Sequence, residues 1–300
     1  MRLLALAAVA IPLGLGTTLP VPEANPITPE KIELGRRLFA DTRLSKDGTI
    51  ACTSCHDPER AFTKPDAVSP GVFGRKGRRN SPTILNRAWG RVFFWDGRAA
   101  TLEQQVLMPI QDPNEMDLTL EEASQRVELP VDKIAAALAT YVRAQMSGDT
   151  RYDRFNNGER SALSAQERNG LRVFQGRGNC LMCHVGTNFT DEKLHNTGIA
   201  WVPASSEAGA SGRFVDDGAF EVTGKPEDRG AFKTPTLREV GRTAPYMHDG
   251  SLATLEEVVD YYDRGGRPNP NLDRDMQRLD LPDEDKRDLV AFLRTLSSAR

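Results

Sequence analysis

Apolar residues recur at helical spacing in two similar segments, one near the start of each half of the chain. In residues 27–39 and in residues 163–174, a Thr or Ser precedes an acidic residue of the first predicted turn, as at a helix N-cap. Each segment then carries a glycine four residues before a phenylalanine. Self-similarity of this kind indicates that one structural unit occurs twice.

Each unit closes with an amphipathic helix, predicted for residues 131–145 and 283–296 from apolar positions three and four apart. Strand-like alternation is scarce, and residues 203–230, rich in Gly, Ala, Ser and Asp, predict a long surface loop. The pattern therefore predicts an all-α protein of two tandem units, residues 25–155 and residues 156–300.

The N-terminus has the pattern of an export signal. Arg2 supplies one positive charge, and an apolar run follows over residues 3–16. This run is short for a bilayer span and is typical of the apolar region of a secretory signal. We expect residues 1–24 to be a signal peptide, with an uncleaved anchor as the alternative. The protein is therefore predicted to be exported, without stable membrane insertion once the signal is removed.

The composition leaves room for a substantial core and argues against two classes of partner. The chain has 300 residues, 39% of them hydrophobic, and a formal net charge of -3. This length suits one large domain or two of ordinary size. A charge balance so close to neutral predicts no binding to nucleic acid and no basic surface for an anionic membrane.

All four cysteines lie in two copies of Cys-x-x-Cys-His, and a Phe-Thr pair follows each copy, at residues 62–63 and 189–190. Two cysteines at this spacing can each form a thioether with one vinyl group of a single haem, and the next residue then supplies an imidazole to the iron. A zinc site gives no reason for a histidine after each pair, and a redox-active pair would follow a βαβ pattern, which is absent from this sequence. We therefore predict two covalently bound haem c groups, held by Cys52, Cys55 and His56 and by Cys180, Cys183 and His184.

An electron carrier and an enzyme differ in whether both irons are capped on both sides. No histidine occurs between residues 57 and 179, so that stretch offers no imidazole to cap the first iron. Met108, Met116 and Met146 lie in the stretch and could in principle do so. Met108 and Met116, however, flank a carboxylate in a more informative segment.

Seven segments between and after the motifs carry a specific combination of residues. They are Asn-Ser-Pro-Thr at 80–83, Phe-Trp-Asp-Gly-Arg at 94–98, Leu-Glu-Gln-Gln at 102–105, Pro-Asn-Glu-Met at 113–116, Phe-Lys-Thr-Pro-Thr-Leu-Arg at 232–238, Thr-Ala-Pro-Tyr-Met-His-Asp-Gly at 243–250 and Thr-Leu-Glu-Glu at 254–257. With these segments the chain resembles the bacterial dihaem cytochrome c peroxidase and MauG family. The resemblance covers nearly the whole chain after the predicted signal.

The resemblance implies an enzyme whose first haem reacts with hydrogen peroxide and whose second haem stores and relays an electron. Glu115 corresponds to the family's distal carboxylate, which takes a proton from one peroxide oxygen and returns it to the other. Gln105 and Pro109 correspond to residues that shape the same pocket. Trp95 corresponds to the tryptophan between the haems, where transient oxidation of the indole lets a hole move from one iron to the other.

The resemblance also implies a calcium ion at the contact between the two units. Asn80, Thr243 and Pro245 correspond to its ligands, through side-chain and backbone oxygens, and oxygen-only ligation suits calcium. His195 and His248 lie within or beside family segments and are expected to form structural hydrogen bonds rather than to bind iron.

The sequence departs from typical dihaem cytochrome c peroxidases in two places. Many of these enzymes carry a histidine after the first motif that blocks the iron until the second haem is reduced. Residues 69–75 contain no histidine, so the first haem is expected to be open to peroxide. At the position of the methionine that ligates the second haem, this chain has Tyr262, the pattern of MauG-like members; Tyr261 and Met276 are the alternative ligands. A phenolate stabilises ferric and higher states of iron better than a thioether does.

Three hypotheses follow for a periplasmic protein of this kind. The first is a MauG-like oxidase, in which hydrogen peroxide takes both haems to a high-valent state that oxidises a side chain of a partner protein. The second is a cytochrome c peroxidase that receives electrons from a small cytochrome or cupredoxin. The third is a dihaem electron-transfer protein without peroxidase chemistry. The missing histidine and Tyr262 favour the first, and residues 261–266 further resemble MauG-type enzymes that accompany copper-uptake and methanobactin operons.

Overall fold

The computed structural model describes residues 9–204 and 211–298, and helix is their dominant regular structure. Loops and short 3-10 turns join the helices. The helices are α1 (Pro29–Phe39), α2 (Cys52–Cys55), α3 (Leu102–Gln105), α4 (Met108–Gln111), α5 (Leu120–Val127), α6 (Val131–Ala144), α7 (Arg151–Asn156), α8 (Ala165–Gln175), α9 (Phe220–Thr223), α10 (Leu255–Asp263) and α11 (Asp283–Arg294).

The second half contains four strands of two residues each, which the predicted all-α architecture does not include. Strand β1 pairs antiparallel with β4, and β2 pairs antiparallel with β3. The all-α prediction is therefore incomplete, because strands of two residues are too short to show alternation in the sequence. The predicted long loop at 203–230 likewise contains a strand and a helix among its described residues. The strands are β1 (Leu194–His195), β2 (Trp201–Val202), β3 (Arg213–Phe214) and β4 (Phe232–Lys233).

Polar caps define the starts of the two repeated helices. Thr28 Oγ1 accepts a hydrogen bond from the Lys31 amide at the start of α1. Ser164 and Glu167 form a reciprocal capping box at the start of α8. These side chains satisfy amides that have no acceptor within the helix, and both predicted helix starts are confirmed.

The repeated glycine explains how each of these helices packs. Helix α1 lies against α6, and α8 lies against α11. A Cβ atom at Gly35 would overlap the carbonyl oxygen of Ala137, and one at Gly170 would overlap the carbonyl oxygen of Asp288. Only glycine therefore lets each helix approach the backbone of its partner this closely. The phenylalanine four residues later is buried in both helices.

Buried apolar side chains form two clusters, one in each half. The first extends from Leu38 to Val142, and the second from Val173 to Leu296. The predicted unit boundary near residue 155 lies in α7, between the two clusters. A division at this point stays a prediction.

Buried ion pairs join the two halves. Arg79 lies 2.5 Å from Asp96 in its own half and 2.7 Å from Asp216 in the other, and the three side chains are only 9, 4 and 11% exposed. Arg87 and Glu192 form a second such pair, with 2.6 Å between their closest atoms. Removing one partner of a buried pair leaves an uncompensated charge, which is strongly unfavourable. These contacts therefore hold the halves in a fixed arrangement.

Residues 9–24 are the described part of the predicted signal peptide; within them, residues 12–18 make hydrogen bonds to the rest of the protein, whereas residues 20–24 are exposed. Residues 1–8 lie outside the described residues. The Asp149 amide donates to the Leu13 carbonyl over 2.8 Å, and Trp89 Nε1 donates to the Thr18 carbonyl over 3.1 Å. Within residues 9–204 and 211–298, no helix is both long enough and apolar enough to cross a membrane.

Candidate active site

One cavity of about 580 Å³ extends across both halves, and both Cys-x-x-Cys-His motifs line it. Its volume is in the range of cavities that bind small molecules and cofactors. The structure brings every predicted site residue to this cavity. They are Cys52, Cys55, His56, Asn80, Trp95, Gln105, Pro109, Glu115, Cys180, Cys183, His184, Thr243, Pro245 and Tyr262.

The first motif is held by the short helix α2, which contains both cysteines, with His56 directly after it. His56 Nδ1 lies 3.1 Å from the Phe62 carbonyl oxygen. An Nδ1–H donated to that oxygen leaves Nε2 as the nitrogen available to a metal. Burial lowers the pKa of His56, which favours the neutral imidazole that ligation requires.

The second motif repeats this arrangement on a 3-10 turn, Cys180–Met182. His184 Nδ1 lies 2.8 Å from the Phe189 carbonyl oxygen, and burial lowers the pKa of His184 to about 4. In both halves the acceptor is the phenylalanine of the Phe-Thr pair that follows the motif. The backbone carbonyl of this phenylalanine therefore orients the imidazole in both units.

The cysteines fit covalent haem attachment better than the rival chemistries. None of the four forms a disulfide, and burial raises the pKa of Cys52 and of Cys180 to about 12. Thiols that hold their protons this firmly are poor redox nucleophiles. Nor do the described residues contain any group of three or more His, Cys, Asp or Glu side chains arranged to hold a metal ion. Two thiol pairs beside two neutral imidazoles in one apolar cavity match two haem c groups.

Glu115 lies in the cavity wall on the segment after α4, and Gln105 and Pro109 line the same cavity. Burial raises the pKa of Glu115 to about 7, the negative charge of Asp112 adds to this, and Arg98 partly opposes it. A carboxyl group with a pKa near neutrality can both accept and release a proton under physiological conditions. The position and the pKa thus suit acid–base chemistry on a small molecule in the cavity.

Trp95 lies at the contact between the two halves and is fixed by hydrogen bonds from its backbone and its side chain. Its indole Nε1 donates to the Asn80 carbonyl over 2.8 Å, and its own carbonyl accepts from the Lys233 amide of the other half over 2.7 Å. Trp89 and Trp201 lie elsewhere: neither lines the cavity. Of the three tryptophans, Trp95 alone lines the cavity that both Cys-x-x-Cys-His motifs line.

Tyr262 lies on α10 beside the second motif. Burial raises the pKa of its hydroxyl, and the Cys183 and Cys180 thiols contribute in the same direction. The neighbouring Tyr261 does not line the cavity, and its hydroxyl instead donates to the Thr197 carbonyl over 2.8 Å. Met276 lines the cavity as Tyr262 does. The geometry therefore leaves Tyr262 and Met276 as the candidate second ligands and sets Tyr261 aside.

Asn80, Thr243 and Pro245 come from both halves and line the same cavity. The Asn80 side-chain amide donates to the Asp66 and Ala67 carbonyls over 3.4 and 3.2 Å, so its Oδ1 oxygen remains available. A side-chain amide oxygen and backbone carbonyls are neutral donors, which match calcium in chemistry but offer no negative charge.

Comparison with known proteins gives these features a family. The family model described as di-haem cytochrome c peroxidase matches residues 29–131. Over an alignment of 301 positions, the chain is 38% identical to the methylamine utilization protein MauG of Methylorubrum extorquens, covering 94% of this chain and 82% of that protein. The chain belongs to the di-haem cytochrome c peroxidase and MauG family.

Other members of the family are similar over the same length. The cytochrome-c peroxidase IdrP1 of a Pseudomonas species is 34% identical, with 95% of this chain and 86% of that protein covered. The crystal structure of a MauG-like protein associated with microbial copper homeostasis is 37% identical, with a TM-score of 0.82 and coverage of 95% of this chain and 94% of that one. The predictions of family and of a di-haem peroxidase are confirmed. The relatives include both MauG proteins and cytochrome c peroxidases, so they do not decide between these two functions.

In this di-haem peroxidase, several charged residues that sequence analysis missed shape the site. Lys233 is buried in the cavity wall, and burial lowers its pKa to about 7, with Arg87 contributing in the same direction. Asp112 and Arg98 set the pKa of Glu115 from opposite directions. The only sequence signal for any of them is their place within or beside the family segments, because charged residues that are buried by tertiary contacts look like surface residues in a sequence.

The two remaining histidines, His195 and His248, both line the cavity. His195 is clamped between carboxylates, with Nδ1 2.5 Å from Asp273 and Nε2 3.0 Å from Asp191. This confirms the predicted hydrogen-bonding role. His248 instead stacks on Phe232, with 3.6 Å between ring centroids and 13° between the planes.

Proposed function

We propose that this di-haem peroxidase is a periplasmic, MauG-like enzyme. It reacts with hydrogen peroxide at its first haem and uses the oxidising equivalents to oxidise side chains of a partner protein. The observation that carries this proposal is the enclosure of Tyr262 in the cavity beside Cys180 and Cys183.

The first haem is attached to Cys52 and Cys55, with His56 as its iron ligand, and the second is attached to Cys180 and Cys183. When bound, the haem irons supply the redox chemistry that accepts oxidising equivalents from peroxide. All other steps fall to the chain's own side chains. His184 and Tyr262 would together hold the second iron, and the hydrogen bonds to the Phe62 and Phe189 carbonyls fix the orientation of the two imidazoles.

Glu115 moves the protons of the reaction. Its carboxylate accepts a proton from one oxygen of peroxide and returns it to the other, which then leaves as water. Burial supports this role because a pKa near 7 leaves a substantial fraction of each form present at neutral pH. Gln105 and Pro109 line the same cavity and limit how peroxide enters and is oriented there.

Trp95 carries oxidising equivalents between the two sites. Its indole nitrogen is bonded to Asn80 and its backbone to Lys233, so the ring keeps one position at the contact between the halves. A fixed ring in the wall of the cavity that both motifs line suits electron transfer in two short steps rather than one long one. When bound, the second haem would supply the redox chemistry that takes electrons from a partner protein.

Residues 69–75 support direct access of peroxide to the first site. This loop contains no histidine, and it is tied to the Glu115 segment. The Val72 amide donates to the Glu115 carbonyl over 2.9 Å, and Arg75 contacts Asp117 over 2.9 Å. The loop therefore offers no imidazole to the first iron, and these contacts hold it against the Glu115 segment.

A calcium ion at Asn80, Thr243 and Pro245 is part of the proposal. The available Asn80 Oδ1 supports it, and all three residues line the cavity that extends across both halves. Water molecules complete such a shell of neutral oxygens. Measuring bound calcium in the purified holoprotein before and after Asn80→Ala tests this site.

The spectrum of the as-isolated diferric holoprotein tests the function. A high-spin first haem, a low-spin second haem that loses its signature in Tyr262→Phe but keeps it in Met276→Leu, and immediate reaction with peroxide are expected. The reverse response of the two variants, with peroxide reacting only after prior reduction, would make the protein a cytochrome c peroxidase. The presence of Met276 in the cavity is the observation in favour of that second candidate. Two six-coordinate low-spin haems that do not react with peroxide would refute both enzymes.

A further inference from the structure

The N-terminal segment of residues 12–18, called here the N-terminal strap, makes specific contacts with both halves of the protein. Its carbonyl groups at Leu13, Gly14 and Thr18 each accept a hydrogen bond, from Asp149, Arg238 and Trp89 respectively, over 2.8, 2.8 and 3.1 Å. The donors are spread over the chain but come together beneath the strap. An apolar leader that merely adheres to the surface would not satisfy such a set of donors.

Two glycines, Gly14 and Gly148, allow the strap to pack closely on the rest of the protein. Gly14 has a φ of +87°, in the left-handed region, and a Cβ atom there would overlap the Asp153 carboxylate. On the opposite side of the contact, a Cβ atom at Gly148 would come within 2.6 Å of the Leu13 carbonyl oxygen and 2.8 Å of Pro12. Both positions therefore need glycine for a reason that exists only when the strap is in place.

The strap covers a buried ion pair. Arg238 Nη1 lies 2.6 Å from Asp153, and both side chains are 1% exposed. Arg238 Nη2 donates to the Gly14 carbonyl. Without the strap, this nitrogen would lose its acceptor, and the pair would lose its cover on that side. Buried charge pairs are tolerated only when their remaining hydrogen-bonding groups are satisfied.

Arg238 connects the strap to the second haem site. Its Nε donates to the Thr187 carbonyl over 2.8 Å, and its guanidinium lies 5.3 Å from the centre of the Phe189 ring. The Phe189 carbonyl in turn lies 2.8 Å from His184 Nδ1. Residues 185–190 form the loop that follows His184. Gly14, this loop and His184 all line a second cavity, of about 320 Å³. The loop that orients the second imidazole thus rests on an arginine that the strap holds.

We propose that residues 12–18 are retained in the mature protein, where the strap fixes Arg238 and thereby positions the loop that orients His184. Arg238 acts here as a positioning residue. The signal peptide would then end before Pro12 rather than at residue 24. This inference concerns the assembled haem site and is independent of which substrate the enzyme oxidises.

The first experiment is the intact mass and N-terminal sequence of the holoprotein, secreted from the full chain in a host that attaches haem c. A mature chain that begins at or before Pro12 is expected. A mature N-terminus near residue 25 would overturn the proposal, since the strap would then be absent from the working protein.

The second experiment is hydrogen exchange of residues 185–190 in Gly14→Ala holoprotein, with Gly224→Ala as the matched control. Gly224 also has a positive φ, +67°, but an added Cβ atom there meets nothing within 4 Å. Loss of a hydrogen bond to a charged group speeds exchange about tenfold or more, and we expect this in Gly14→Ala only. The EPR g-values of the second haem should shift as well, with those of the first haem unchanged.

Unchanged exchange at residues 185–190 in Gly14→Ala would refute the positioning role. Equal acceleration in the Gly224→Ala control would refute it as well. If Gly14→Ala does not accumulate, Arg238→Lys takes its place, because lysine keeps the charge beside Asp153 but cannot reach the Gly14 and Thr187 carbonyls at once. The same acceleration and the same spectral shift are expected, and their absence would again contradict the proposal.

Discussion

Replacing Glu115 by glutamine removes the proposed proton carrier while keeping nearly the same shape. General acid–base catalysis contributes about 10²–10⁴-fold to a rate, so the second-order rate of reaction with peroxide should fall by a factor in that range. The assay is stopped-flow absorbance of the diferric holoprotein mixed with hydrogen peroxide. Glu121→Gln, an exposed glutamate in the first turn of α5, is the control and should keep the wild-type rate.

The pH dependence of the wild-type rate follows from the same carboxyl group. The pKa of Glu115 is raised to about 7, and the carboxylate is the form that accepts the first proton. Roughly a tenth of the protein carries it at pH 6 and roughly nine tenths at pH 8. The rate should therefore rise about tenfold between these two pH values in the wild type and stay flat in Glu115→Gln.

The stability of the folded protein depends on the same pKa, and it should fall with rising pH while the rate rises. Because the folded state raises this pKa above its ordinary value of 4.5, the folded state holds the proton more tightly than the unfolded state. The free energy of unfolding therefore falls as pH rises from about 4.5 to about 7, by about 3 kcal/mol in total. Glu115→Gln should be more stable than the wild type at pH 8 by up to that amount, and equally stable near pH 4. A variant that loses less than tenfold in rate, keeps the pH profile, or loses stability at pH 8 would refute the assigned role.

Other parts of the structure give three further predictions. Asp112→Asn removes a negative charge that raises the pKa of Glu115, so the midpoint of the pH–rate profile should move to lower pH; a midpoint that stays or rises would contradict the electrostatic account. Arg79→Gln removes the nearest cation from two buried carboxylates, of which Asp96 keeps Arg98 at 2.9 Å and Asp216 keeps Arg78 at 3.5 Å. It should cost about 1–3 kcal/mol in urea unfolding, less than a buried charge that loses every partner; a loss below about 1 kcal/mol would show that the pairs do not hold the halves together. Gly170→Ala should cost about 1–3 kcal/mol in the same assay, because its methyl group must displace α8 from the backbone of α11; an unchanged unfolding midpoint would mean that the helices separate freely.

Local sequence patterns predicted the elements that repeat. The glycine and phenylalanine spacing in residues 27–39 and 163–174 marked two helices, and the structure explains it by the close crossings at Gly35 and Gly170. The Cys-x-x-Cys-His motifs predicted two cofactor sites because covalent attachment depends on local spacing alone. Each of these features is encoded within about a dozen residues, which is why the sequence was sufficient.

Features that depend on distant residues were beyond the sequence. Nothing near Arg79 indicates that it pairs with Asp216, because the two lie far apart in the chain and charged residues are usually exposed. The two-residue strands likewise have no periodicity of their own. Residues 12–18 fit an apolar leader in composition, and only their contacts with Arg238 and Asp149 give them a second interpretation. The site residues could be named in advance through the family resemblance, but their meeting in one cavity is a property of the fold.

The duplicated hydrogen bond to each proximal imidazole limits where the two haem sites can differ. His56 and His184 both face a peptide carbonyl, that of Phe62 or of Phe189, rather than a carboxylate. A neutral acceptor withdraws little of the Nδ1 proton, so neither ring gains much imidazolate character. The two irons therefore receive nearly the same electron donation from this side. With His56 and His184 as iron ligands, a difference in reduction potential between the two sites would depend mainly on the other side chains of the cavity wall, such as Glu115 and Tyr262, and exchange of these residues one at a time would measure their contributions.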